Sequence, residues 1–119
     1  MRILVVDDEP AVRGSLRRAL GLEGYEISTA DDGQDALEAL AEYDFEAVIL
    51  DIAMPGMSGP ALQMELTRRQ QAIPIVFITA HEDETVRPRV LEAGAVECLF
   101  KPFSATALRA AVDTALRVA

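Results

Sequence analysis

Four short apolar runs set the rhythm of the chain, and each is followed by a residue able to do chemistry: 3–6 before Asp7 and Asp8, 47–50 before Asp51, 75–78 before Thr79, and 98–100 before Lys101. Segments with apolar residues at helical spacing separate these runs. Such alternation predicts five βα units and a mostly parallel sheet. Right-handed crossovers, with the three most apolar runs central, lead to an α/β fold: a doubly wound five-stranded parallel sheet of order 2-1-3-4-5 with helices on both faces. All strand ends then emerge along one edge, where ligands of such folds bind.

Local signals place the remaining elements. Val12, Leu16, Ala19 and Leu20 form the apolar stripe of a first helix while Arg13, Arg17 and Arg18 point elsewhere, and the 21–24 stretch with its two glycines closes it. Residues 25–30 read as a weaker, more polar strand suited to a sheet edge, after which Asp31 or Asp32 can cap a helix carrying Ala36, Leu37 and Leu40. Beyond Asp51 comes the turn-rich segment Met54-Pro55-Gly56-Met57-Ser58-Gly59, where Ser58 can cap a helix through Leu62 and Leu66 and Pro60 is tolerated in the first turn. The fourth helix is irregular, because a helix begun at Asp83 would already need the amide hydrogen that Pro88 lacks; it either starts late, near Arg87, or is distorted. Gly94 ends it. Ser104 caps a last helix whose stripe is Leu108, Ala111, Val112, Ala115 and Leu116.

At 119 residues the chain fits one domain, 1–119, with a core that needs no staple. The single cysteine, Cys98, excludes an intramolecular disulfide and suits a reducing compartment. The first apolar run is too short for a signal peptide and no run approaches membrane-spanning length, so a cytoplasmic protein without a membrane partner is expected. A net charge of −9 argues against direct nucleic-acid binding, which needs a basic surface. The imbalance is local: residues 1–60 hold thirteen acids and four bases, residues 61–119 seven of each. Asp7, Asp8 and Asp51 belong to that excess, and clustered carboxylates repel unless they protonate or share a cation.

Three carboxylates offer hard oxygen ligands, which favour Mg²⁺ over metals that prefer His or Cys. A metal held there completes its shell with phosphate oxygen. Lys101, the only lysine among eleven basic residues, can neutralise a second phosphoryl oxygen, and Thr79 can hydrogen-bond a third. Together the strand ends read as a cradle for one transferred phosphoryl group. Taken singly, Asp7-Asp8-Glu9 is equally a helix start, Asp51 a strand stop, Thr79 a β-former and Lys101 an exposed base. Their equivalent positions at four strand ends carry the argument.

The motifs LVVDDEP, VILDIAMPGMSG, VFITA and FKPF, in that order over the full length, resemble the receiver domain of bacterial two-component response regulators, which has the flavodoxin-like strand order. The resemblance implies a phosphorelay signal receiver. In it Asp51 accepts the phosphoryl group from a sensor histidine kinase, Asp8 and Asp51 ligate Mg²⁺ directly, Asp7 helps through water, and the Ala53 backbone carbonyl is a third protein ligand. Thr79 would reorient onto the phosphoryl group, and Lys101 would bind it ahead of a cis bond to Pro102. It further implies a domain that phosphorylates and dephosphorylates itself without turning over an external substrate, and that acts on an output domain or a homodimer partner through its last two βα units. His81 and Ala53 would set the phosphorylated lifetime. Cys98 departs from the pattern, since receivers usually carry Tyr or Phe three residues before the lysine; with Pro88 in the helix that usually moves, the readout is expected to be less typical than the chemistry. Phe100 lies on the same strand face, closer to the site.

Two other classes use similar folds. An aspartyl-nucleophile phosphatase of the haloacid dehalogenase type needs a second acid two residues after the nucleophile, where Ala53 stands, and a substrate cap that this length does not allow. A nucleotide- or flavin-binding module needs a glycine-rich loop after the first strand, whereas Asp8-Glu9-Pro10 repels phosphate in the absence of a metal.

Overall fold

The computed structural model describes residues 1–54, 56–80 and 85–118. Its elements alternate as expected: β1 (Arg2–Val6), α1 (Pro10–Gly21), β2 (Glu26–Ala30), α2 (Gly33–Glu42), β3 (Ala47–Asp51), α3 (Gly59–Arg68), β4 (Ile75–Ala80), α4 (Val86–Glu92), β5 (Glu97–Lys101) and α5 (Ala105–Val118). The five strands form one sheet of order β2-β1-β3-β4-β5, and every neighbouring pair is parallel. This is the predicted order, with the three most apolar strands inside and polar β2 at an edge.

The pleat divides the core into two layers. Leu4, Val6, Val48, Leu50, Phe77 and Cys98 face the side covered by α2, α3 and α4, where Leu37, Leu62, Leu66 and Val90 close over them. Ile3, Val5, Ile49, Val76 and Ile78 face the opposite side, under Leu16 and Leu20 of α1 and Leu108, Val112 and Ala115 of α5. Residues 3–6 and 47–50 are fully buried, so β1 and β3 read as continuous apolar runs because helices cover both of their faces.

Helix starts follow the capping residues. The Asp32 carboxylate accepts the Asp35 N–H at 2.8 Å, the Ser58 hydroxyl accepts from Ala61 at 3.2 Å, and that of Ser104 from Ala107 at 3.0 Å. Helix α4 starts at Val86, which places Pro88 in the first turn, where no intrahelical amide bond is lost. Beyond α4, Gly94 takes φ +109°, the left-handed conformation that ends the helix.

One close approach bears on the site. Helix α3 begins directly behind Asp51: a Cβ at Gly59 would lie 2.5 Å from the Asp51 carbonyl oxygen, 2.9 Å from Phe77 Cε1 and 3.0 Å from Ile52 Cα. Two of those neighbours are backbone and cannot move aside. Gly59→Ala is therefore expected to cost about 1–3 kcal/mol by overpacking. Gly21→Ala, where nothing lies within 4 Å, is expected to gain about 0.5–1 kcal/mol of helix propensity. Urea midpoints moving in opposite directions at an unchanged slope would confirm the contrast.

Candidate functional site

Parallel strands deliver the four polar ends to one edge. Asp7 follows β1, where the chain leaves the sheet while its N–H still donates to the Ala30 carbonyl at 3.2 Å. Asp51 is the last residue of β3, in register with Ile78 of β4; Thr79 is beside Phe100 of β5, and Lys101 is beside Ala80. Asp7, Asp51 and Thr79 are buried at 0%, 4% and 9% exposure, whereas Asp8 and Ala53 face solvent.

The carboxylates converge. One oxygen each from Asp7, Asp8 and Asp51 lies within 4.8 Å of the others. The Lys101 ammonium reaches into the group, donating to Asp7 Oδ2 at 3.1 Å and lying 3.6 Å from Glu9 Oε1 and 3.9 Å from Asp51 Oδ1. The other Asp7 oxygen, Oδ1, accepts the Glu9 N–H at 2.8 Å. A buried aspartate with no exposure is tolerable only when paired in this way. Among the described residues no hydrogen bond joins Thr79 to Asp51 or Lys101. The Lys101–Pro102 bond is cis.

Burial pushes the Asp51 carboxyl up to about 6, reinforced by the Asp7 charge and opposed by Lys101 and by the Ala53 N–H that it accepts. Burial alone would depress the Lys101 ammonium, but Asp51 and the hydrogen bond to Asp7 outweigh it and hold it above its usual range. The pocket thus keeps the Lys101 ammonium charged and its central carboxylate reluctant to ionise.

The donor set fits a Mg²⁺ ion. Ligand oxygens at about 2.0–2.1 Å from such an ion are separated by roughly 3–4 Å, and one oxygen from each of the three carboxylates lies within 4.8 Å of the others. All are hard oxygens, and exposed Asp8 leaves room for the waters Mg²⁺ retains. A second acidic group, Asp31, Asp32 and Asp35, lies beyond β2 and is accounted for by the start of α2.

Three contacts were not legible in the sequence. Glu9 flanks Lys101, Gly59 abuts the acceptor strand, and the Arg13 guanidinium donates to the Asp7 carbonyl at 2.7 Å. The only signal was a glycine opening a helix that Ser58 already caps. Cys98 is buried among the apolar residues facing α4, with its thiol pushed up by burial, while half-buried Phe100 is the residue beside Thr79. His81 lies outside the described residues.

A fold of this kind, with an acidic triad, a hydroxyl and one lysine at its strand ends, defines a phosphoryl-receiving signalling domain. The family model of the response regulator receiver domain matches residues 3–113, and the chain belongs to that family. It is similar to the response regulator MprA of Mycolicibacterium vanbaalenii, 41% identical over 117 residues, which are 98% of this chain and 51% of that protein. MprA of Mycobacterium leprae matches to the same extent. The chain spans about half the length of these curated relatives. Among solved structures, the receiver domain of NtrX from Brucella abortus superposes with a TM-score of 0.93 at 34% identity, covering 98% of this chain and 99% of that one. The response regulator TrrA from Thermotoga maritima, solved in complex with Mg²⁺ and BeF, gives a TM-score of 0.86 at 38% identity over 97% of this chain and 98% of the other. None of these findings supports the haloacid dehalogenase-type alternative. Among the described residues no helix is long and apolar enough to cross a membrane.

The Asp51 carboxyl, raised from an ordinary 3.8 to about 6, binds its proton more tightly in the folded than in the unfolded chain. Its cost to stability is therefore absent below its ordinary value, grows as the pH rises, and is complete above the folded value. In chelator-treated buffer, Asp51→Asn is expected to be more stable than the parent near pH 7.5 by about 1–3 kcal/mol. The gap should close toward about pH 4. Urea melts at the two pH values measure it, and a difference independent of pH would contradict the assignment.

Proposed function

We propose that residues 1–119 form a single receiver domain in which Asp51 accepts a phosphoryl group from the phosphohistidine of a cytoplasmic sensor kinase. The observation that carries this reading is the buried Asp51 carboxylate, grouped with Asp7 and Asp8 and 3.9 Å from the Lys101 ammonium. An Asp51 oxygen forms the new bond to phosphorus as the bond from phosphorus to the imidazole nitrogen breaks, and that nitrogen leaves with the electron pair. The Asp8 and Asp51 carboxylates and the Ala53 carbonyl would hold Mg²⁺, with Asp7 acting through water. When bound, the ion neutralises charge on the phosphoryl oxygens.

The protein's own groups do the rest. Lys101, now hydrogen-bonded to Asp7, provides a compact positive charge for one phosphoryl oxygen, and the Thr79 hydroxyl donates to another. Desolvation of Asp51 strengthens both contacts. The added charge then biases a two-state equilibrium of the loops around the site, and an output domain or a second copy of the chain reads it through the last two βα units. The reaction is stoichiometric, so the domain is a signalling element rather than a turnover enzyme. The Mg²⁺–BeF complex of TrrA supports the metal assignment by similarity.

Incubation with acetyl phosphate and Mg²⁺ is expected to add one phosphoryl group by mass spectrometry, located on Asp51, and chelation of the metal should abolish it. Asp51→Asn should remain unlabelled. Lys101→Met should label more slowly by on the order of a hundredfold. An unlabelled parent, or a stable adduct on Asp51→Asn, would refute the reading.

A further inference from the structure

Helical side chains lean toward the N-terminus of their helix, and Arg13, in the first turn of α1, reaches back to the loop that precedes it. Its Nη1 donates to the backbone carbonyl of Asp7, six residues earlier, at 2.7 Å, while its own N–H makes the ordinary helical bond to Glu9 at 3.1 Å. That carbonyl is the first one past the end of β1 and has left the parallel ladder. Asp7 is thereby fixed at every polar point: N–H to Ala30, Oδ1 to Glu9, Oδ2 to Lys101, and carbonyl to Arg13.

The carbonyl matters beyond Asp7 because a peptide unit is planar. Its oxygen, the Asp8 nitrogen and the Asp8 Cα move as one plane, so pinning the oxygen fixes where the Asp8 Cα lies and leaves only rotation about its own bonds to aim the carboxylate. Asp8 needs such a restraint. It is exposed, and among the described residues no hydrogen bond holds its carboxylate. Asp7 and Asp51 are oriented by burial and by their own partners, whereas the aim of Asp8 depends on its backbone. A charge-assisted bond from guanidinium to carbonyl is the stronger kind of tether. The charge reaches further as well: Asp31 is held below the usual carboxylate range chiefly by its hydrogen bond with Asp35, and the Arg13 charge acts in the same direction.

We infer that Arg13 is a positioning residue of the metal site, holding the Asp7–Asp8 peptide so that the Asp8 carboxylate faces Asp7 and Asp51. The role builds on the Mg²⁺ site proposed above and concerns a residue that touches neither metal nor substrate. Two effects of Arg13 on a cation have opposite signs. Its positive charge repels Mg²⁺, so removing it should tighten binding; its tether orients a ligand, so removing it should weaken binding. Positioning is the dominant effect.

Isothermal titration of the 119-residue chain with Mg²⁺ alone, and ¹⁵N relaxation of the metal-free protein, separate the possibilities. Arg13→Met keeps most of the aliphatic stem and loses both donor and charge; its Mg²⁺ affinity is expected to fall about fivefold or more, with reduced order at the Asp8 amide before any metal is added. Arg13→Lys restores a donor and should recover part of both. An Asp8 amide as ordered in Arg13→Met as in the parent, or Mg²⁺ binding as tight or tighter in that variant, overturns the inference. If the parent itself takes up no Mg²⁺, the metal-site reading fails, and the order of the Asp8 amide alone decides the role of Arg13.

Discussion

The dominant constraint in this molecule is charge crowding at one edge of a parallel sheet. Because every strand runs the same way, the ends of β1 and β3 bring Asp7 and Asp51 together in a buried setting, and only the end of β5 supplies a lysine to offset them. The helices could pack as well over a neutral edge. What they could not do is leave Asp7 with no exposure and no partner, so the closing strand, the Lys101 contact and the hydrogen bonds around Asp7 form one interdependent arrangement.

That arrangement is unsatisfied in a directed way. One ammonium serves three nearby carboxylates and sits closest to Asp7 rather than to Asp51. Added positive charge therefore relieves repulsion, and added negative charge at Asp51 competes with Asp7 for the same lysine. Local electrostatics of this kind is how a modification at one side chain alters the balance between two conformations. The apolar sheet beneath does not share the tension, since its two layers are filled on both faces.

Much of this was legible in the sequence, for identifiable reasons. The strands announced themselves because β1, β3 and β4 are buried on both faces and so carry no alternation, while polar β2 declared itself an edge. Asp32, Ser58 and Ser104 were readable because capping depends on neighbours a few residues away. Pro88 was readable as a helix that either starts late or is distorted, and the start at Val86 decides for the first. Contacts such as Arg13 to the Asp7 carbonyl, Glu9 beside Lys101 and Gly59 behind Asp51 were not, because they depend on how a loop leaves the sheet. The raised Asp51 carboxyl was foreshadowed by the clustering of acids, yet its largest cause is burial, which no local pattern encodes.

Helix α4 has a consequence of its own. It is seven residues long, buries only Val90, and is tied across to α3 by the Gln63 amide, which donates to the Val90 carbonyl at 3.3 Å. Few buried apolar contacts and a short backbone ladder mark the segments that open at the lowest free energy, well below global unfolding. The molecule thus has a firm side, where α1 and α5 clamp the sheet, and a yielding one at α4. A segment of that kind opens locally while the side clamped by α1 and α5 keeps its packing.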